Sequence, residues 1–240
     1  MQNFAALLES SANTHGHLCP GQVVGVRMAM LGCRLIDLDE PTRYDQIKKL
    51  IVYIEMDRCT ADAVAHVTGV KLGRRSLKFM DYGIMAATFV NLESGKAFRV
   101  VSTEESRDLA PHFAPEISGK HAQQLAAYKR MPDNVLFRVQ QVKVAISEFD
   151  MPGPTRRKMV CAGCGQLVRD HCEVFIDGLS YCRPCAEGAY FSEAREITWP
   201  DMNWAPGNNG QHTNSRYHSK NNISGGNKPR PYICSKVVER

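Results

Sequence analysis

Two Cys-x-x-Cys pairs, Cys161-Ala-Gly-Cys164 and Cys182-Arg-Pro-Cys185, stand 17 residues apart in this 240-residue chain. A tight turn lets each pair offer two sulfurs to one ion, and two pairs complete a tetrahedral four-thiolate site. Between them, Val174 to Tyr181 reads as a hairpin around Asp177-Gly178. Ala186 to Phe191 reads as the start of a helix. Knuckle, hairpin and a ligand pair at a helix start resemble a treble-clef zinc finger. A segment this short buries little core, so structural zinc is expected to hold it together. His171 and Cys172 break the spacing and stand outside the expected ligand set.

Nine cysteines, an odd number, favour metal ligation over disulfides in a chain that reads as intracellular. No window approaches a membrane span, and Met1-Gln2-Asn3-Phe4 lacks the pattern of a signal peptide. The expected setting is cytoplasmic. Hydrophobic content of 43% and charged content of 23% are ordinary globular values. The net charge of +5 gathers in residues 196–240, with six Lys/Arg against three Asp/Glu. The finger itself is near neutral, with six against five over residues 155–195. Nucleic-acid binding is therefore not favoured, although Arg156, Arg157 and Lys158 are in a position to contact phosphate.

Pro152-Gly153-Pro154 marks a boundary. Three regions are expected: 1–153, a core domain; 154–197, the finger; and 198–240, a Gly/Asn/Ser-rich tail. Trp199, Trp204, Tyr232 and Ile233 suggest that the tail docks on the body or on a second copy of the chain, its dimer partner. In the core, residues 2–13 and 20–35 read as helices, the second opened by Pro20. Gly21, Gly25 and Gly32 mark one stripe of that helix, where another backbone can approach closely. Residues 49–55 read as a buried strand, and Asp57 as the cap of a helix over 58–67. Residues 77–80, 85–90 and 97–101 read as strands, the last two as an antiparallel hairpin. A helix over 118–129 and a long strand over 135–144 complete an α+β domain.

A second ligand set lies before the second helix. His15, His17 and Cys19 fall within five residues, and imidazole with thiolate is a donor set for zinc or another transition metal. Cys19 and Cys59 both fall at helix starts, where the helix dipole favours thiolate. Asp62 and His66 follow Cys59 on one face, as a ligand, an orienting group or a proton carrier. Cys19, Cys59 and Asp62 are the candidate catalytic groups; His15, His17, Cys19 and Cys59 are the candidate core ligands. Cys33 reads as core packing.

The segment His15-Gly-His-Leu-Cys-Pro-Gly21 resembles the signature of the FmdE family, named for the E component of formylmethanofuran dehydrogenase. The likeness continues in Gly25-Val26-Arg27, Asp57 to Ala63, Val67-Thr68-Gly69, Gly73 and Asp81-Tyr82-Gly83. Some members carry a C-terminal zinc finger. The tail beyond about residue 200 has no counterpart in that pattern. The resemblance implies helices packed on a mainly antiparallel sheet, a metal-associated cluster at the signature, and an intertwined homodimer. It also implies an accessory role beside the components of a molybdenum or tungsten enzyme, with no complete dehydrogenase on this chain. Two other readings stand beside it: a small zinc-dependent metalloenzyme with Asp62 or His66 as base, and a zinc-finger regulator binding protein or nucleic acid.

Overall fold

The computed structural model describes residues 1–195; the expectation for the tail lies outside them. The chain divides into two compact units, the first ending at Gly153 and the second starting at Pro154.

The first unit opens with α1 (Phe4–His15), capped by the Asn3 side chain on the Ala6 N–H. It runs two residues beyond the expected end. Gly16, at φ +97°, stops it by turning its N–H back to the Ala12 carbonyl. His15 is therefore held on a helix rather than in a loop. Next come α2 (Pro20–Leu35), the short α3 (Tyr44–Ile47) and strand β1 (Leu50–Ile54). α4 (Cys59–Thr68) follows. Arg58, not Asp57, occupies its N-cap, and no side chain caps the end. Then come β2 (Leu77–Phe79), β3 (Ala86–Asn91), β4 (Ala97–Ser102), the short α5 (Glu105–Asp108) and α6 (Ala110–Phe113), and α7 (Lys120–Arg130).

The long strand expected over 135–144 is divided. A single helical turn, α8 (Asp133–Leu136), precedes β5 (Phe137–Gln141). Asp133 explains the turn: its carboxylate takes Arg27 at 2.5 Å and Arg34 at 3.0 Å, pinning the segment to α2.

The strands form one sheet in the order β2-β1-β3-β4-β5, parallel between β1 and β2 and antiparallel elsewhere. The expected β3–β4 hairpin is present. α2 packs against β3, β4, α4 and α7, and α1 packs on α2 and α4. The glycine stripe makes this possible. A Cβ on Gly25 would stand 2.6 Å from Ala63 Cβ and 2.7 Å from the Thr60 carbonyl, so α2 and α4 meet backbone to backbone. A Cβ on Gly32 would stand 2.2 Å from the Phe89 ring. Cys33 is fully buried in this core, as expected. On the other sheet face, Ile51, Val90 and Ala97 carry Val142, Val144 and Ile146 of the extended chain after β5. There Glu55 is buried and holds Arg99 through two contacts of 2.6 Å.

The second unit contains two hairpins, β6 (Lys158–Val160) with β7 (Leu167–Arg169) and β8 (Glu173–Ile176) with β9 (Leu179–Cys182), then α9 (Arg183–Glu187). Asp177 and Gly178 both take positive φ, as the two-residue hairpin turn requires. Among the described residues its buried apolar core is Cys161, Val168 and Cys182. Among the described residues of the whole chain, no helix is long and apolar enough to cross a membrane.

Candidate metal centres

Cys161 and Cys164 lie on the turn between β6 and β7. Cys182 ends β9 and caps α9, which carries Cys185 in its first turn. The four sulfurs lie within 4.8 Å of one another, with Cys164 and Cys182 at 3.7 Å. Tetrahedral sulfurs about 2.3 Å from a zinc ion are roughly 3.8 Å apart. The donor set therefore fits zinc with little movement. Desolvation pushes the Cys161 thiol up, but N–H groups of Cys182, Cys164 and Gly163 outweigh it and bring it to about 6. Burial and the neighbouring sulfurs push Cys185 up. Four crowded sulfurs without an ion must share protons; a dication removes that conflict. Cys172 packs against this small core, and His171 pairs with Arg157 at 3.1 Å; neither joins the four-sulfur cluster.

The second set is built at the junction of α1, α2 and α4. His15 ends α1, and Gly16 turns the chain so that His17 and Cys19 fold back toward it. Donor atoms of His15, His17 and Cys19 lie within 4.8 Å of one another. The two imidazole rings stand 4.8 Å apart, tilted by 37°. Cys19 is the N-cap of α2 and offers no side-chain cap bond, which leaves its sulfur to the cluster.

The hydrogen bonding of His15 points the same way. Its Nδ1 lies 2.9 Å from Asp62 Oδ2. In the neutral ring whose Nδ1–H donates to that carboxylate, the lone pair sits on Nε2. Nε2 is buried and has no hydrogen-bond partner. A buried acceptor without a partner is costly, and a carboxylate–histidine pair is the usual support for a metal-bound imidazole.

Cys59, the first residue of α4, interacts directly with Cys19. Burial pushes its thiol up, and the Cys19 thiol pushes it further. It touches the set through Cys19 without joining the three mutually close donors. Asp62 reaches the set only through His15. His66 does not reach it. Seven residues along α4 amount to about 10 Å, and His66 Nε2 instead meets Ser10 Oγ at 2.9 Å. That pair lines a separate cavity of about 390 Å³ with Thr42 and Arg43.

One residue of the junction escapes a reading by motif. Gln22 is fully buried; its Oε1 accepts from Ser11 Oγ at 2.5 Å, and its Nε2 donates to the Cys59 carbonyl at 2.7 Å. The only sequence signal is an amide in an otherwise apolar helical stripe, three residues after Cys19.

Comparison with known proteins places this arrangement. A curated relative from Archaeoglobus fulgidus, described as a probable S-adenosyl-L-methionine-binding protein, is 31% identical over 115 residues. The match covers 48% of this chain and 31% of the relative, so the chain spans less than a third of that protein's length. A crystal structure from Syntrophus aciditrophicus, of a tungsten formylmethanofuran dehydrogenase FmdE-like protein, superposes with a TM-score of 0.51 at 17% identity. It covers 79% of this chain and 95% of its own, and the likeness is one of fold. The family model described as FmdE, molybdenum formylmethanofuran dehydrogenase operon, matches residues 14–144, more than half of the chain and the whole His15–Asp62 junction. The chain belongs to the FmdE family.

Proposed function

We propose that this protein is a metal-binding accessory factor for a molybdenum or tungsten enzyme of the formylmethanofuran dehydrogenase type. Its working site takes a divalent transition metal on His15 Nε2, His17 and Cys19, with Cys59 as the fourth donor from α4. The four-cysteine unit holds a separate, structural zinc. A homodimer and contact with the components of the enzyme belong to the same reading.

The observation that carries it is His15: Nδ1 is held by Asp62, Nε2 is buried with no partner, and a ring nitrogen lies within 4.8 Å of donor atoms of His17 and Cys19. His17 is exposed, so the site opens to solvent on one side, which suits a metal that is sensed, delivered or exchanged. The accessory reading is favoured over a metalloenzyme because neither candidate base is free for the task. Asp62 is engaged by His15, and His66 lies at the far end of α4. The nearly neutral finger gives little support to nucleic-acid binding.

Metal analysis of the purified chain tests the proposal. Two transition-metal ions per chain are expected, and Cys19→Ser is expected to bring the count to one. A count of one in the native protein, unchanged by Cys19→Ser, would sink it.

A further inference from the structure

We infer that Gln22 is the positioning residue of the core metal site, setting the separation of its thiols before any metal binds. The inference rests on the metal reading of that site. Gln22 is not one of the cluster's donors, and it links α1, α2 and α4, which carry His15, Cys19 and Cys59.

A primary amide with no solvent exposure is costly unless its groups are bonded. Both are bonded, and to informative places. Ser11, which donates to Oε1, sits one turn before His15 on α1. Gln22 itself sits one turn after Cys19 on α2. The acceptor for Nε2 is the carbonyl of Cys59. One side chain thus ties together the helix turns bearing His15, Cys19 and Cys59.

The Cys59 carbonyl does not need this bond. An α-helical carbonyl already accepts from the N–H four residues on, and the amide of Gln22 takes its second lone pair. The bond therefore acts on register. It lies beside Gly21, where α2 approaches the first turn of α4 closely. A Cβ on Gly21 would stand 2.9 Å from Cys59 Cβ and 3.7 Å from Cys19 Sγ. Thr60 Oγ1 returns a bond to the Gly21 carbonyl at 3.3 Å. Smooth backbones can slide along each other; a directional bond across them cannot. Metal–ligand distances tolerate only about 0.2 Å, so a shift too small to unfold the helices still spoils the site.

Cobalt(II) titration of the full-length chain, with the finger zinc retained, tests this. Gln22→Met keeps the volume and removes both bonds. It is expected to weaken cobalt binding about tenfold to a hundredfold, the usual effect of losing an outer support. It should also move the thiolate-to-cobalt absorption band while the protein stays folded, a change that loss of stability alone does not produce. Ser11→Ala leaves the bond to Cys59 and removes its brace; a smaller loss with the same spectral shift is expected. Native affinity and spectrum in Gln22→Met would overturn the inference. If Gln22→Met fails to fold, Ser11→Ala decides by the same criteria. Absence of a Cys19-dependent cobalt site in the native chain would instead overturn the metal reading itself.

Discussion

Stripping the metal with a strong chelator is expected to unfold residues 154–195 while the five-stranded unit stays intact. The reason is the size of the finger's core. Among the described residues, Cys161, Val168 and Cys182 are its buried apolar residues, and two of these three are candidate ligands. Hairpins of three and four residues have no independent stability in water. Structural zinc in such modules supplies about 10–16 kcal/mol of apparent binding free energy, and nearly all of it is folding free energy. Hydrogen exchange measures the outcome region by region. Amides of β6 to β9 should lose protection on chelation, and those of β1, β3 and β4 should keep it. Cys161→Ser should reproduce the loss without chelator. Protection of the hairpins that survives both treatments would show that the finger holds itself together without an ion.

The second large effect is expected at Phe89. Its ring is fully buried and lies against Gly32, which has no side chain to fill a void. Phe89→Ala should cost about 3–5 kcal/mol, the transfer term plus a cavity that neither the sheet nor α2 can close. Against a typical total of about 5–15 kcal/mol, that is a large fraction of the first unit's stability. Denaturant unfolding at unchanged slope gives the number. A loss below about 1 kcal/mol would mean that the helix–sheet contact does not carry the core as described.

What the sequence discloses follows from how local each signal is. Both Cys-x-x-Cys turns, the Asp177-Gly178 hairpin and Pro20 at the start of α2 are short-range features, and the chain states them outright. The glycine stripe predicts a close approach, and the approach is there, though its partners differ: Gly21 and Gly25 meet α4, while Gly32 meets the Phe89 ring. The end of α1 lies beyond its expected place because the apolar pattern fades after Ala12, while the stop signal, Gly16, comes four residues later. That difference fixes the direction of His15, and with it the site. The chain over 135–144 alternates like one strand, but the pairing of Asp133 with Arg27 and Arg34 spans about a hundred residues of sequence. Gln22 is hidden for the same reason. Its partners are 11 and 37 residues distant, and no local pattern announces a bond of that kind. Asp62 is legible as a neighbour of the site with three candidate tasks, ligand, orienting group or proton carrier, and the geometry at His15 Nδ1 favours the second.

The central claim is that the His15–Cys19 cluster holds a metal distinct from the structural one. Anomalous diffraction from crystals of the full chain, recorded on both sides of the absorption edge of the metal found, tests it most directly. The expected map has two peaks per chain, one among Cys161, Cys164, Cys182 and Cys185, the other bonded to His15 Nε2 and Cys19 Sγ. A single peak in the finger, with His15 Nε2 bonded to water or protein instead, would contradict it.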